Sequence, residues 1–374
     1  MKKIVRFRRI WLTALAPAAF VLTLAAENSP DFAERYANTV YPVLSHSINW
    51  ITSLAPFSIM ELLIAVLTAG AVIYMIFYIV KIIHHRENRR KNLFLLAVNL
   101  ICIASVLYFV FVISCGINYY RYPFAQTCGL NIRPSSTAEL TGLCSELAEK
   151  ANTLRNQVQT GKSGVMRLNG KNIYTTAKEA QASFDLISGD YPLLRAGYGR
   201  PKPVFSSRLM SYCDITGIFF PFTFEANVNV DIPEYSIPST MCHELSHLRG
   251  YMREDEANFI GYLVCEKSGN ADFRYSGVML AYIYASNALY GADSDAANRI
   301  YATLSDGVKR DLADNSAYWK QFEGPVARAA DQVNDSYLKA NKQEDGVKSY
   351  GRMVDLLLAE YRTKKKSPLS AKCH

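Results

Sequence analysis

The sequence predicts a mostly helical protein, in which three N-terminal membrane-spanning helices precede an α-rich α+β domain. Half of the 374 residues are hydrophobic, and the longest apolar runs all lie before residue 120. The rest of the chain shows helical periodicity with capping signals. Residues 215–224 are instead rich in Ile, Phe and Thr and contain Gly217 and Pro221, which predicts a β-hairpin or an edge strand.

Three apolar runs, residues 10–26, 59–83 and 93–117, are long enough to cross a bilayer. The first run also resembles a signal-peptide core, but we favour a retained helix. Glu61 lies near the start of the second run. A charge at the bilayer centre costs about 2.5–3.5 kcal/mol, so we expect Glu61 at the interface. Residues 27–57 predict a loop of mixed polarity.

Basic residues flank these runs and predict their orientation. The N-terminal flank, residues 1–9, and the loop 84–91 are both basic and are expected in the cytoplasm. The sequence therefore predicts a multi-pass protein of the cell membrane. It has a membrane region at residues 1–120 and an extracytoplasmic domain at residues 121–374. The lipid bilayer is one expected partner.

Charge and cysteine content exclude several classes of protein. The net charge of +8 comes from Lys and Arg beside the apolar runs rather than from a basic stripe with interleaved aromatic residues, so no nucleic-acid partner is expected. Eight Cys occur without a CxxC pair, which disfavours a cysteine-built zinc site. An extracytoplasmic domain permits disulfides, and we expect at most one, with Cys128 and Cys144 closest in sequence.

Capping signals place the helices of the domain. Ser136 and Glu139 form a capping box that predicts a helix to about residue 159, and Thr176 with Glu179 predicts another that ends near Gly189. The expected later helices are at about 239–250, 253–267, 275–290, 294–304, 314–337 and 346–363.

Residues 241–250, Met-Cys-His-Glu-Leu-Ser-His-Leu-Arg-Gly, contain the motif His-Glu-x-x-His. His243 and His247 are four residues apart, so on a helix they share one face and can hold one metal ion. Glu244 lies beside them and can reach a metal-bound water. The only other His of the domain is His374, so His is not used here as a general surface residue. The motif predicts a Zn²⁺ site rather than a helix that carries the pattern by chance.

A two-His zinc site needs a third protein ligand, and two acids follow the motif closely. Gly250 lets the chain reverse, so a helix from about Arg253 can bring Glu254 or Glu256 back to the metal. Both acids also suit a helix N-terminus without any metal. We favour Glu254, because Asn258 lies one turn later on the same face and can orient a ligand. Glu256 is the alternate.

These residues predict an enzyme that hydrolyses peptide bonds. Zinc lowers the pKa of its water towards about 7, and Glu244 acts as the general base and then protonates the leaving amine. The expected substrate is an extracytoplasmic peptide or protein. Residues 216–222 offer two interpretations: an exposed edge to which such a peptide adds as a strand, or an ordinary core strand. The alternative is a non-catalytic membrane sensor or scaffold with a structural zinc site. Intramembrane proteolysis is disfavoured, because the motif lies far beyond the last apolar run.

Residues 254–258, Glu-Asp-Glu-Ala-Asn, resemble the Glu-x-x-Ala-Asp/Asn helix that several zinc-peptidase clans pair with His-Glu-x-x-His. The whole chain resembles a family of uncharacterised bacterial multi-pass membrane proteins, whose domain of unknown function is interpreted as a gluzincin-type metallopeptidase. The resemblance implies a zincin-like fold and a zinc hydrolase. The stretches that carry it are Pro56-Phe57-Ser58 with Glu61, and residues 216–229, 243–258 and 337–358.

Overall fold

The computed structural model describes residues 8–169 and 172–366, and it is mostly helical. A 3₁₀ helix, Arg8–Ala14, leads into the first α-helix. The membrane-side helices are α1 (Leu15–Asn28), α2 (Pro30–Ser53), α3 (Ile59–His84) and α4 (Arg89–Ser114). The later helices are α5 (Phe124–Thr127), α6 (Thr137–Arg155), α7 (Ile173–Ile187), α8 (Ser207–Tyr212), α9 (Ile237–Leu248), α10 (Glu254–Lys267), α11 (Ala271–Ala292), α12 (Ser294–Ala302), α13 (Asp306–Lys320), α14 (Pro325–Ala340) and α15 (Met353–Lys366).

Three helical segments are long and apolar enough to cross a membrane: Arg9–Asn28, Ile59–His84 and Arg86–Ser114. They confirm the three predicted runs. The third ends earlier than predicted, because a 3₁₀ helix, Gly116–Tyr120, follows it. Glu61 lies in the first turn of α3, as expected for a charge at the interface. Residues 1–7 of the basic flank lie outside the described residues.

The prediction of a loop over residues 27–57 is wrong, because most of this stretch is helix α2. Ser29 caps the helix by accepting a hydrogen bond from the backbone N–H of Phe32, and Pro30 occupies the first turn, where its missing N–H costs nothing. The C-terminal half of α2 carries its polar Ser45 and Asn49 on the buried face, so its pattern differs from that of an ordinary surface helix.

Helix α2 is bonded to the domain that follows the membrane helices. The Asn49 amide donates to the Phe224 carbonyl at 2.8 Å, and the Tyr41 hydroxyl lies 3.2 Å from the Leu248 carbonyl. Arg121 forms a largely buried ion pair with Glu34 at 3.0 Å. The predicted division at residue 120 stays a prediction, and these contacts cross it.

The β structure consists of two small sheets. Strands β1 (Gln159–Thr160) and β2 (Met166–Arg167) form an antiparallel pair. Strands β3 (Lys202–Pro203), β4 (Gly217–Phe220) and β5 (Glu225–Val228) form a sheet in the order β3-β5-β4. Strands β4 and β5 make an antiparallel hairpin with Gly217 opposite Val228, and β4 lies at the edge. The prediction of a β-hairpin or edge strand before the motif helix is confirmed.

The core lies where α9, α10 and α11 pack against each other and against α6 and α7. The capping box of Ser136 and Glu139 is confirmed at the start of α6. The cap predicted at Thr176 is wrong, because the Asn172 side chain caps α7 four residues earlier. The single helix predicted over 314–337 is also wrong. It is two helices, α13 and α14, separated where Gly324 adopts an extended backbone ahead of Pro325.

The seven cysteines within the described residues are free thiols, and Cys128 and Cys144 are not joined. This agrees with the expectation of at most one disulfide. Cys373 lies outside the described residues.

Candidate metal centre

A sharp reversal of the chain joins the motif helix α9 to helix α10. Gly250 has a φ of +87°, a left-handed conformation that favours glycine. A Cβ at this position would approach the Tyr41 ring to 3.1 Å. Arg253 then takes an extended conformation and α10 begins at Glu254. The reversal returns the first turn of α10 to the face of α9 that carries the two His.

The structure brings His243, His247 and Glu254 together. The two Nε2 atoms are 3.0 Å apart, and Oε2 of Glu254 lies 3.2 Å from His243 Nε2 and 3.5 Å from His247 Nε2. Ligand atoms at about 2.0–2.2 Å from a tetrahedral zinc ion lie roughly 3.3–3.6 Å from one another. The three atoms are therefore spaced much as three corners of such a site.

The outer nitrogens of both imidazoles are already engaged. His243 Nδ1 lies 2.8 Å from Asn258 Oδ1, and His247 Nδ1 lies 2.7 Å from the Tyr251 carbonyl. Both partners accept hydrogen bonds, so each Nδ1 carries a proton and each neutral ring turns a lone pair on Nε2 inwards. Two nitrogen lone pairs and a carboxylate thus converge on one point. Such a cluster can share a proton or hold a metal ion, and its nitrogen and oxygen donors are of the kinds that zinc binds.

The same convergence shifts the ionisation of the three groups. Burial opposes the charge of His247, but the neighbouring Glu254 carboxylate outweighs burial and raises the His247 pKa to about 9. Burial would raise the pKa of Glu254, but the two imidazoles dominate and hold it well below its usual range. With no metal bound, these groups therefore favour a proton between the imidazole and the carboxylate.

Glu256 is not part of this cluster. Its Oε1 accepts a hydrogen bond from the Phe124 backbone N–H at 2.7 Å and one from Arg253 at 3.2 Å. On a helix Glu254 and Glu256 point about 200° apart, so the carboxylate of only one of them can face the two His. The structure therefore brings the favoured acid, and not the alternate, to the two His.

Glu244 lies between the cluster and the edge strand β4. Its side chain is buried, and Oε2 has no hydrogen-bond partner among the described residues. Burial raises its pKa, and the two imidazoles and the Phe219 backbone amide offset this only in part. Gly217 of β4 is very close, because a Cβ there would lie 2.5 Å from Glu244 Oε1. The carboxylate is therefore held beside the strand with one oxygen unengaged.

Three residues around the cluster were not predicted from the sequence. The Gln343 side chain accepts a hydrogen bond from the Glu254 backbone N–H at 3.1 Å. Tyr284 and Tyr350 have pKa values raised mainly by burial, with the Glu254 charge as a further cause. They come from the middle of α11 and from the 3₁₀ helix Gly346–Arg352, and no local motif marks either position.

A protein-family profile with the description "Protein of unknown function (DUF3810)" matches residues 36–358. The chain belongs to the DUF3810 family. The match runs from helix α2 into α15 and includes His243, His247 and Glu254. No curated protein and no solved structure matches the chain. Membership in DUF3810 carries no known activity, so the resemblance to gluzincin-type peptidases stays a prediction.

Proposed function

We propose that this DUF3810 protein is a membrane-anchored, zinc-dependent metallopeptidase with a zincin-like catalytic domain. The observation that carries the proposal is the meeting of three metal-ligand atoms with the Glu244 carboxylate beside a sheet edge. A purely structural zinc site needs no buried carboxylate next to its ligands. A hydrolytic site needs one to move a proton.

His243, His247 and Glu254 would hold the ion. When bound, zinc would supply Lewis-acid polarisation of a carbonyl and would lower the pKa of a water molecule towards about 7. Asn258 and the Tyr251 carbonyl keep the two imidazoles in the tautomer that leaves Nε2 free to bind a metal.

Glu244 is suited to proton transfer because one of its oxygens is unengaged. Oε2 can accept the proton of the attacking water, and the raised pKa of this buried carboxyl helps it to retain that proton until the leaving amine takes it. The burial of the surrounding side chains excludes bulk water, which strengthens the electrostatic interactions between these groups.

The edge position of β4 supports a polypeptide substrate. Alternate residues of an edge strand leave their backbone N–H and C=O groups without a neighbouring strand, and an extended peptide can pair with them. Because Gly217 of this strand touches Glu244, a peptide paired with β4 would place its backbone beside the general base.

The positive-inside rule supports an extracytoplasmic location for the catalytic domain. The loop 84–91 contains four exposed basic residues at the end of α3 and the start of α4, and such loops are retained in the cytoplasm. The domain follows α4, one membrane crossing later, on the opposite side of the membrane.

One observation favours the alternative of a sensor or scaffold with a structural zinc site. The side chains of His243 and Glu254 are only 12% and 10% exposed, which is typical of closed structural sites. The unengaged carboxylate of Glu244 is not accounted for by that alternative.

The test compares variants of the full-length protein in lipid nanodiscs, by metal analysis and by cleavage of a peptide library. We expect Glu244→Gln to retain about one zinc per chain but to lose cleavage by a factor of roughly 10²–10⁴. His243→Ala should lose both zinc and cleavage.

Glu149→Gln, at an exposed position on helix α6, is the matched control and should change neither property. Wild-type zinc content without any cleavage would favour the structural site. Unchanged cleavage by Glu244→Gln would contradict the proposed mechanism.

A further inference from the structure

Both ends of helix α2 are tied to membrane-spanning helices. Ser29 separates it from α1, and residues 54–58 separate it from α3. With 24 residues, α2 is about 36 Å long. A helix whose two ends join two spans on one side of the bilayer must run along that surface. The Tyr36 hydroxyl also donates to the Ile113 carbonyl at 2.6 Å, which ties α2 to the end of α4.

The two long faces of α2 have opposite environments. Ala37, Tyr41, Ser45 and Asn49 are buried towards the domain. The other face is exposed, and from Val40 onward it is mostly apolar, with Trp50 at 68% and Leu54 just beyond the helix at 71% exposed. An exposed stripe with Trp along a membrane surface is typical of a helix that lies in the interface. The residues of this face and its continuation are Val40, Val43, Ser47, Trp50, Ile51 and Leu54.

The catalytic sheet is bonded directly to the first turn of the span α3. The Glu225 carboxylate of β5 accepts hydrogen bonds from the backbone N–H groups of Ile59, at 3.0 Å, and Met60, at 2.9 Å. Ser58, which caps the span, donates to Asn227 Oδ1 of the same strand at 2.6 Å. Glu225 is fully buried and also pairs with Lys202 of β3.

A second contact between the span α3 and the domain involves Glu61, one residue after Met60. Glu61 accepts hydrogen bonds from the backbone N–H groups of Phe205 and Ser206, both at 2.9 Å. The Phe205 side chain is 91% exposed, and it stands beside a residue of the first turn of a membrane span. An exposed aromatic ring at this level is typical of the membrane–water interface.

These contacts fix the height of the substrate strand above the membrane. Phe220 of β4 is paired with Glu225 of β5, and strands in a sheet are about 4.8 Å apart. The end of β4 therefore lies roughly 10 Å from the start of the span α3, which is one strand spacing plus the reach of the Glu225 side chain and its hydrogen bond to Ile59. An extended chain covers that distance in about three residues, at 3.3–3.6 Å per residue.

We propose that the edge strand Gly217–Phe220 receives polypeptides that are themselves anchored in the membrane, and that they are cut within about ten residues of the bilayer surface. This inference rests on the proposed peptidase function. The interfacial helix α2 and the sheet bonded to α3 hold the cleft at the membrane surface. A tethered chain reaches it with a high effective concentration, which is in the millimolar range for short tethers.

The first experiment measures position and needs no activity. The protein is reconstituted into vesicles of phosphatidylethanolamine and phosphatidylglycerol that carry headgroup-quencher lipids. A fluorescent amino acid replaces Ile218 of β4 or, as a control, Tyr301 of α12, which packs on helices α6 and α11. We expect at least twofold stronger quenching at position 218 than at position 301. Equal quenching at the two positions would overturn the inference, whatever the outcome of the zinc and cleavage tests.

The second experiment measures cleavage by outward-facing protein in the same vesicles. One peptide sequence, selected from the library, is offered free or attached to a lipid through a spacer of 4 or 30 residues. We expect the short-spacer substrate to be cut at least tenfold faster than the free peptide and faster than the long-spacer one. Val43→Glu, on the lipid-facing stripe, should reduce cleavage of the short-spacer substrate and leave cleavage of the free peptide unchanged.

The outcomes separate the two proposals. A preference for the long spacer, or equal rates for all three substrates, would overturn the inference and leave the peptidase function intact. No cleavage of any substrate by a zinc-loaded protein would contradict the peptidase function, and the inferred substrate class would fall with it.

Discussion

At the scale of single residues, helical periodicity predicts more of the metal centre than residue identity does. His243 and His247, four residues apart, must share one face of helix α9. Glu254 and Asn258, also four residues apart, must share one face of helix α10. The sequence favoured Glu254 over Glu256 through Asn258, but only the structure shows what Glu256 binds instead. Glu256 is bonded to the Phe124 backbone, which lies more than one hundred residues away in sequence, and no local pattern reveals such a partner.

The first prediction concerns this pair of acids. Glu254→Ala should abolish tight zinc binding, because two ligands remain. Asn258→Ala should weaken zinc binding by about 10–100-fold through the loss of its hydrogen bond to His243. Glu256→Ala should leave zinc affinity nearly intact but lower the free energy of unfolding by about 1–3 kcal/mol, because the Phe124 N–H loses its acceptor.

Competition with a chromophoric chelator measures the affinities, and thermal unfolding in detergent measures stability. Should Glu256→Ala strip the zinc while Glu254→Ala retains it, the ligand assignment is reversed.

At the scale of elements, the contact between β4 and α9 leaves no room for a side chain. Gly217→Ala would place a Cβ 2.5 Å from Glu244 Oε1, so the carboxylate or the strand has to move. We expect zinc content to be unchanged and peptide cleavage to fall by at least tenfold, because a displacement of about 1 Å at a reacting group can cost about 100-fold in rate.

Gly291→Ala in helix α11 is the matched control, because its added Cβ would have nothing within 4 Å. It should leave cleavage unchanged and should stabilise the helix slightly, by up to about 1 kcal/mol. Normal cleavage by Gly217→Ala would show that Glu244 does not act from its position beside β4.

The burial pattern of helix α2 explains why the sequence predicted a loop at residues 27–57. A surface helix usually buries its apolar face and exposes its polar one. In the second half of α2 the polar Ser45 and Asn49 are buried, while Val43 and Trp50 are exposed. The buried polar groups have partners in the distant domain, such as Tyr198 for Ser45. The usual periodicity rule fails because the buried face of α2 bonds to polar groups of the distant domain instead of packing on an apolar core.

The third prediction tests this arrangement of α2. Asn49 donates to the Phe224 carbonyl and accepts from the Gly199 N–H at 2.7 Å, so Asn49→Ala leaves two groups without their partner. We expect the free energy of unfolding to fall by about 2–4 kcal/mol, because each unsatisfied buried group costs about 1–3 kcal/mol. Ser47→Ala, at an exposed position of the same helix, should change stability by less than about 0.5 kcal/mol. Equal effects of the two substitutions on thermal unfolding in nanodiscs would contradict the described packing of α2.

At the scale of the whole molecule, the apolar runs alone predicted the three spans, because length and apolarity suffice to identify them. They did not predict how closely the membrane region and the following domain are joined. Glu34 pairs with Arg121, and Glu225 caps the span that begins at Ile59. Such contacts depend on tertiary structure, and sequence composition carries no signal for them.

The last prediction concerns orientation. The predicted crossings of α1, α3 and α4 alternate, so we expect the ends at Asn28, Ile59 and Ser114 on the same side as the domain and the turn at residues 85–88 on the other. The exposed cluster Arg86, Arg89, Arg90 and Lys91 should hold that turn in the cytoplasm. A reporter that is active only in the cytoplasm should therefore work when fused after Arg90 and fail when fused to the C-terminus. A reporter that is active only outside should show the reverse.

Replacing the four basic residues of this cluster by Gln should make the fusion results mixed, because the charge difference that sets the orientation is reduced. Four equivalent replacements in the domain, at the exposed Lys162, Lys178, Arg299 and Lys320, should not change them, since charge far from the spans contributes little to orientation. A cytoplasmic C-terminus in the unaltered protein would place the metal centre inside the cell. The candidate substrates would then be cytoplasmic segments of membrane proteins, still next to the bilayer, because the bonds from Glu225 to the span α3 hold the cleft there on either side.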